Sequence, residues 1–171
     1  MFYTILDDLI LYQRLTIMPC KYSNYELKLH KYFYDKTEID PSFIIIIKIE
    51  DLDFIFFFVR QDQYFQAKTY LNSIRNNIKT RKVLIIGVDK TLIHLLFNLF
   101  PDLCIDDIKI EINNIKGEYE ITICFLKDLN IYHIAVGERG SYIKAVNKLM
   151  KKYITFNDSV TPITIRCRVS K

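Results

Sequence analysis

Tryptophan is absent from the chain, and glycine and proline occur only four times each. Alanine is confined to Ala67, Ala135 and Ala145. These are residues with GC-rich codons, while Ile, Lys, Asn, Tyr and Phe are abundant, so the composition points to an AT-biased genome. The four cysteines, Cys20, Cys104, Cys124 and Cys167, form no C-x-x-C pair. That excludes a zinc-knuckle spacing and leaves free thiols in a reducing compartment as the expectation. No long apolar run is free of charge: "FIIIIKIEDLDFIFFFV" is broken by Lys48, Glu50, Asp51 and Asp53. It is therefore not a membrane-spanning helix, and no membrane partner is expected. The start, "MFYTILDDLILYQRL", carries acids early and does not read as a signal or transit peptide.

What remains is half apolar, enough for a substantial core, and 171 residues long, which suits one compact domain or two small ones. The net charge of +4 is mild, but its distribution is uneven. Seven acids and three lysines between Asp102 and Asn130 give −4, and five lysines and two arginines against Asp158 between Ser141 and Lys171 give +6. The end of the chain is a local positive pole, suited to an anionic partner.

The hydrophobic period predicts the elements. Residues 2–15 read as a short helix, ended by Pro19. "YELKLHKYFYD" alternates like a half-buried strand. "SFIIIIKIE" and "FIFFFVR" read as strands joined by the tight turn "DLD". "AKTYLNSIR" reads as a strand with a helix as competitor, and "KVLIIGV" as a strand. Five strands without a helical crossover predict a small closed barrel. Beyond it, "DKTLIHLLFNLF" has helical spacing, with Asp89 as expected N-cap. "DIKIEINN" and "EYEITICFL" form a hairpin, and "KDLNIYHIAV" gives one or two helical turns. "SYIKAVNKLMKKY" is an amphipathic helix capped by Ser141, "NDS" a turn, and "PITIRCRV" the last strand. Ile110, Ile123, Val146 and Ile165 are expected in one core.

Two of the four glycines, Gly137 and Gly140, frame "GERG" between two of these helices. Missing Cβ atoms let a chain turn sharply and let a phosphate approach the main chain. The start of the following helix favours an anion, and Arg139 adds a charge-assisted contact. Glu138 opposes it. Ile134, Val136 and Ile143 would floor an apolar groove for bases. The alternative is an ordinary helix–turn–helix whose first glycine is a C-cap.

Helix, strand, strand, helix, G-x-x-G, helix and strand, in this order, resemble a KH domain of the bacterial type. Such a loop clamps about four nucleotides of a nucleic-acid backbone. Together with "LIIGVDKTLIHLLFNLFPDL", "IKIEINNIKGEYEITI" and "VGERGSYIKAVNKL", the chain is similar to the central region of the NusA family of transcription factors. In that family an OB-type barrel runs directly into the first of two KH domains. The resemblance spans residues 25–171.

The resemblance implies an α+β chain in three parts: a short helical segment over 1–21, an OB-like barrel over 22–88, and a single KH domain over 89–171. It implies a non-enzymatic, RNA-binding protein acting in transcription elongation, termination or antitermination. A ribosome-associated protein on ribosomal RNA, or a structural subunit with a degenerate loop, are the alternatives. Single-stranded RNA is the expected ligand, with RNA polymerase or a ribosomal subunit as partner. The expected RNA-binding residues are Gly137, Glu138, Arg139, Gly140, Ser141, Tyr142, Lys144, Lys148, Lys151, Lys152, Arg166 and Arg168. No catalytic residue, metal or cofactor is expected. His30, His94 and His133 are dispersed, His94 on a helix and His30 on a strand without a paired carboxylate at ligand spacing; no G-x-S-x-G is present, and "GVDKT" is too short for a Walker loop. Tyr32, Tyr34 or Phe57 could stack on bases from an outward barrel face. The expected location is an organelle interior, the plastid stroma first, with a mitochondrial matrix or bacterial cytoplasm as alternatives.

Overall fold

The computed structural model describes residues 9–18, 21–101, 103, 105–113, 115, 117–126, 129–156 and 163–170. The readings that fall on residues 1–8, Pro19, Cys20, Cys104 and the "NDS" turn lie outside them. In place of the end of a first helix there is a 3-10 turn, Leu9–Tyr12, followed by strand β1, Leu15–Ile17. Then come α1 (Asn24–Thr37), β2 (Phe43–Ile49), β3 (Leu52–Arg60), α2 (Tyr64–Thr69), α3 (Leu71–Asn77) and β4 (Lys82–Val88). The second half runs α4 (Leu92–Leu99), β5 (Ile105–Asn113), β6 (Glu118–Phe125), α5 (Leu129–Val136), α6 (Ser141–Tyr153), β7 (Ile154–Phe156) and β8 (Ile163–Val169).

The chain is an α+β protein that divides into two compact units. One is residues 19–89; the other joins residues 1–18 to 90–171. The first residues attach to the last unit: β1 pairs antiparallel with β7, Leu15 facing Phe156 and Ile17 facing Ile154.

The expected closed barrel is not found among the described residues. The 19–89 unit instead holds an open three-stranded sheet in the order β2-β3-β4. The hairpin β2–β3 is antiparallel and β4 joins β3 in parallel. Two strands of the expected five are helical. "YELKLHKYFYD" lies within α1, because a stronger local signal overrides its alternation. Ser23 and Glu26 form a capping box, with the Ser23 amide donating to Glu26 Oε2 at 2.7 Å and the Glu26 amide to Ser23 Oγ at 3.4 Å. Leu29, Phe33 and Thr37, four apart, form the buried stripe, while Leu27 is exposed. "AKTYLNSIR" follows its competing reading and spans α2 and α3, burying Ala67 and Ile74. Phe33 stacks on Phe57 at 4.5 Å between ring centres, in a core with Ile44, Ile55, Val59, Val83 and Ile85.

The other unit has the same element order. Helix α4, the antiparallel hairpin β5–β6, helices α5 and α6, and β8 parallel to β6 repeat α1, β2–β3, α2, α3 and β4. Leu92, Leu95, Leu96 and Leu99 on α4 are fully buried, each contributing about 1.5–3 kcal/mol by leaving water. Thr91, not Asp89, precedes this helix as its N-cap. Ile123, Val146 and Ile165 are buried as expected, and Ile110 is half-buried on the edge strand. Across the sheet Ile110 faces Ile121, which faces Ile165.

Candidate nucleic-acid interface

The G-x-x-G is the joint between α5 and α6. Its two glycines are required for different reasons. Gly137 closes α5, its amide donating to His133 O at 2.9 Å, and turns out of the helix at φ 75°, ψ 169°. A Cβ there would sit 2.7 Å from Tyr142 Cβ and 2.8 Å from Tyr142 N, so close approach of backbone to backbone demands glycine. Gly140 is left-handed, at φ 71°, ψ 19°, but a Cβ would meet only Ile143 Cγ2, at 3.9 Å. Nothing inside the protein blocks a Cβ at Gly140, which is half-buried.

Between them Glu138 and Arg139 are exposed. Arg139 is itself left-handed at φ 51°, ψ 29°, a conformation that costs a residue with a Cβ about 1 kcal/mol or more. The amide of Gly140 donates to Gly137 O at 3.0 Å, and that of Ser141 to Glu138 O, so the turn is a single closed 3-10 loop. The N-cap of α6 is Gly140, not Ser141, and no side chain caps the helix start.

Ten of the twelve expected site residues separate into three groups. Exposed Glu138 and Arg139 and half-buried Gly140 form the turn. Lys144, Lys148, Lys151 and Lys152 are exposed along α6, on one face over about two turns that extend about 12 Å from Lys144 to Lys152. Gly137, Ser141 and Tyr142 build the turn from within. Ser141 and Tyr142 are both buried. The Tyr142 hydroxyl donates to Leu99 O, and its ring meets Phe100 edge-on at 5.8 Å, which fixes the start of α6 against the end of α4. These two side chains position the turn rather than offer a surface.

Arg166 and Arg168 are not brought to this place. Strand alternation puts them on the face of β8 opposite Ile165, and Arg166 Nη1 pairs with Glu120 Oε1 at 3.0 Å across the sheet. Of the expected groove floor, Ile134 is exposed, whereas Val136 and Ile143 are half-buried. Phe57 is fully buried, and Tyr32 and Tyr34 lie on α1, so the stacking surface expected of a barrel is not formed. His30, expected on a strand, lies on α1 too, and its Nε2 pairs with Asp40 Oδ1 at 2.9 Å.

Sequence reasoning missed Asn147. Its side chain donates to Ile165 O at 2.9 Å and accepts from Ile165 N at 2.7 Å. It thereby locks α6 to β8 behind the turn. His133 is exposed near the end of α5, beside Tyr132. Among the described residues no group of three or more His, Cys, Asp or Glu is placed to hold a metal, and no helix is long and apolar enough to cross a membrane. Cys124 and Cys167 are free thiols, and burial pushes that of Cys167 up to about 12, so it carries no thiolate at neutral pH.

No family model matches the sequence, and neither does any curated protein. Among solved structures the chain is similar to the crystal structure of APE1850, with a TM-score of 0.55 at 18% identity. The match covers 86% of this chain and all of that one, so it takes in both units. At that identity the likeness concerns the fold alone.

Proposed function

We propose that the chain is a non-enzymatic RNA-binding protein whose 90–171 unit is a KH domain, acting as a NusA-like factor in transcription. The observation that carries this reading is Gly140. It is a half-buried glycine where a Cβ would meet no close neighbour, next to exposed Arg139, at the head of an amphipathic helix lined with lysines. Phosphate approach to the main chain gives such a glycine a purpose that internal packing does not. The helix–strand–strand–helix–helix–strand order around it supports the same reading, as does its repetition in the 19–89 unit. Two successive KH-type units fit the NusA resemblance better than a barrel and one KH domain, since that family carries two.

The test is a single-stranded RNA titration at two salt concentrations. Gly140→Asp abolishes binding, because a carboxylate and a Cβ enter the phosphate path. Arg139→Ala weakens binding to every sequence and lowers the salt dependence, as loss of a phosphate contact does. Glu138→Lys strengthens it by removing a repulsion. Equal binding by Gly140→Asp and Glu138→Lys sinks the clamp. Co-purification of RNA polymerase subunits supports the transcription role; ribosomal subunits in their place overturn it.

A further inference from the structure

The two units share one element order but not one joint. In the 90–171 unit the joint between the last two helices contains two glycines and two left-handed residues. In the 19–89 unit the corresponding joint, between α2 and α3, is the single residue Tyr70, at φ −88°, ψ −7°. Its amide donates back to Ala67 O and Lys68 O, and its carbonyl accepts from Ile74 N at 2.9 Å. Thr69 Oγ1 donates to Gln66 O at 2.7 Å. The main chain is thus occupied by helical bonding on both sides of the joint. No glycine occurs before Gly87, so every residue of this joint carries a Cβ.

The charge pattern differs independently. Helix α6 carries four lysines after its turn, whereas α3, "LNSIRNN", carries one cation. That cation, Arg75, turns its Nε to Val83 O at 3.1 Å. The α2–α3 joint therefore has neither a bare backbone for a phosphate nor a row of cations along the helix behind it.

We infer that the protein holds RNA at one clamp per chain, over about four nucleotides, with the 90–171 unit alone gripping the backbone. This rests on the RNA-clamp reading above. A ligand bound by one clamp gains only the statistical factor of extra registers as it lengthens. Two linked clamps would add avidity of about 10²–10⁴.

The experiment compares unstructured RNAs of about five and about ten nucleotides on three proteins: wild type, Gly140→Asp, and the double variant Lys68→Glu, Thr69→Asp in the α2–α3 joint. Circular dichroism establishes that each is folded. The expected result is that the longer RNA binds wild type less than about tenfold more tightly than the shorter. Gly140→Asp loses both RNAs and the joint variant loses neither. A gain of about a hundredfold with length, or a loss of affinity for either RNA in the joint variant, shows a second grip in the 19–89 unit and overturns the inference. It leaves the clamp reading intact. Failure of wild type to bind either RNA overturns the clamp reading itself.

Discussion

The Asn147 carboxamide bonds both main-chain groups of Ile165, donating to its carbonyl and accepting from its amide. It does for the edge of β8 what a neighbouring strand would do, and it does so from the middle of α6. An unpaired strand edge is open to association with other chains, so one side chain both locks the helix and closes the edge. Removing it leaves two partly buried backbone groups without partners.

Asn147→Leu is expected to destabilise the 90–171 unit by about 2 kcal/mol, near the sum of two net hydrogen bonds with their desolvation. Asn147→Asp destabilises as well, since its carboxylate still accepts from Ile165 N but opposes Ile165 O. Urea denaturation of the two variants checks both. A change of less than half a kilocalorie in each would show the pairing to be dispensable.

Gly137 and Gly140 respond differently to the same substitution. Gly137→Ala forces a methyl group against the Tyr142 backbone and Cβ, and the loss is about 3 kcal/mol or more. Gly140→Ala meets open space and costs only the left-handed backbone, about 1 kcal/mol. Thermal unfolding of the two proteins reads the difference. Equal losses would mean that the close approach at Tyr142 relaxes.

Arg139 sets stability against function. Its left-handed backbone would be relieved in Arg139→Gly, offset in part by the greater freedom of glycine in the unfolded chain. The variant is expected to be as stable as wild type or more so, by up to about 1 kcal/mol, while binding RNA more weakly. The measurement pairs a melting curve with an RNA titration. A variant that is less stable and binds as well would reverse the assignment.

Glu50 lies at the hairpin turn between Ile49 and Leu52 with φ 52°. Glu50→Gly or Glu50→Asn is expected to stabilise the 19–89 unit by about 0.5–1 kcal/mol, because both residues accept this backbone more readily. Chemical denaturation that shows a loss would locate a stabilising role in the Glu50 side chain.

Much of the second unit was readable because each of its elements carries one dominant period. The α4 leucines recur at helical spacing, and Ile108, Ile110 and Ile112 alternate without interruption. The G-x-x-G stood out because glycine is otherwise rare. The first unit misled for a physical reason. In "YELKLHKYFYD" the apolar and aromatic residues satisfy periods of both 2 and 3.6, and the deciding signal was the Ser23–Glu26 capping box just upstream. Gly137 and Gly140 could be found by sequence, but their different purposes could not, because the contact of Gly137 with Tyr142 exists only in the folded turn. The Asn147–Ile165 pairing was equally hidden, since an asparagine on a helix gives no sign of the strand edge it meets. Arg166 and Arg168 were drawn to the site by charge alone; strand alternation sends them to the other face.

The pairing of β1 with β7 has a consequence for the order in which the chain can be finished during synthesis. Leu15 leaves the ribosome about 140 residues before its partner Phe156. At typical elongation rates the first strand waits on the order of ten seconds for its mate. During that wait residues 19–89, which complete their own sheet and core, can fold. Ile10, Leu11, Leu15 and Ile17, all buried in the folded protein, stay uncovered until the rest of their unit is made. The pairing of β1 with β7 then follows the folding of residues 19–89, and a nascent chain stalled before β7 would display that apolar segment to any chaperone at hand.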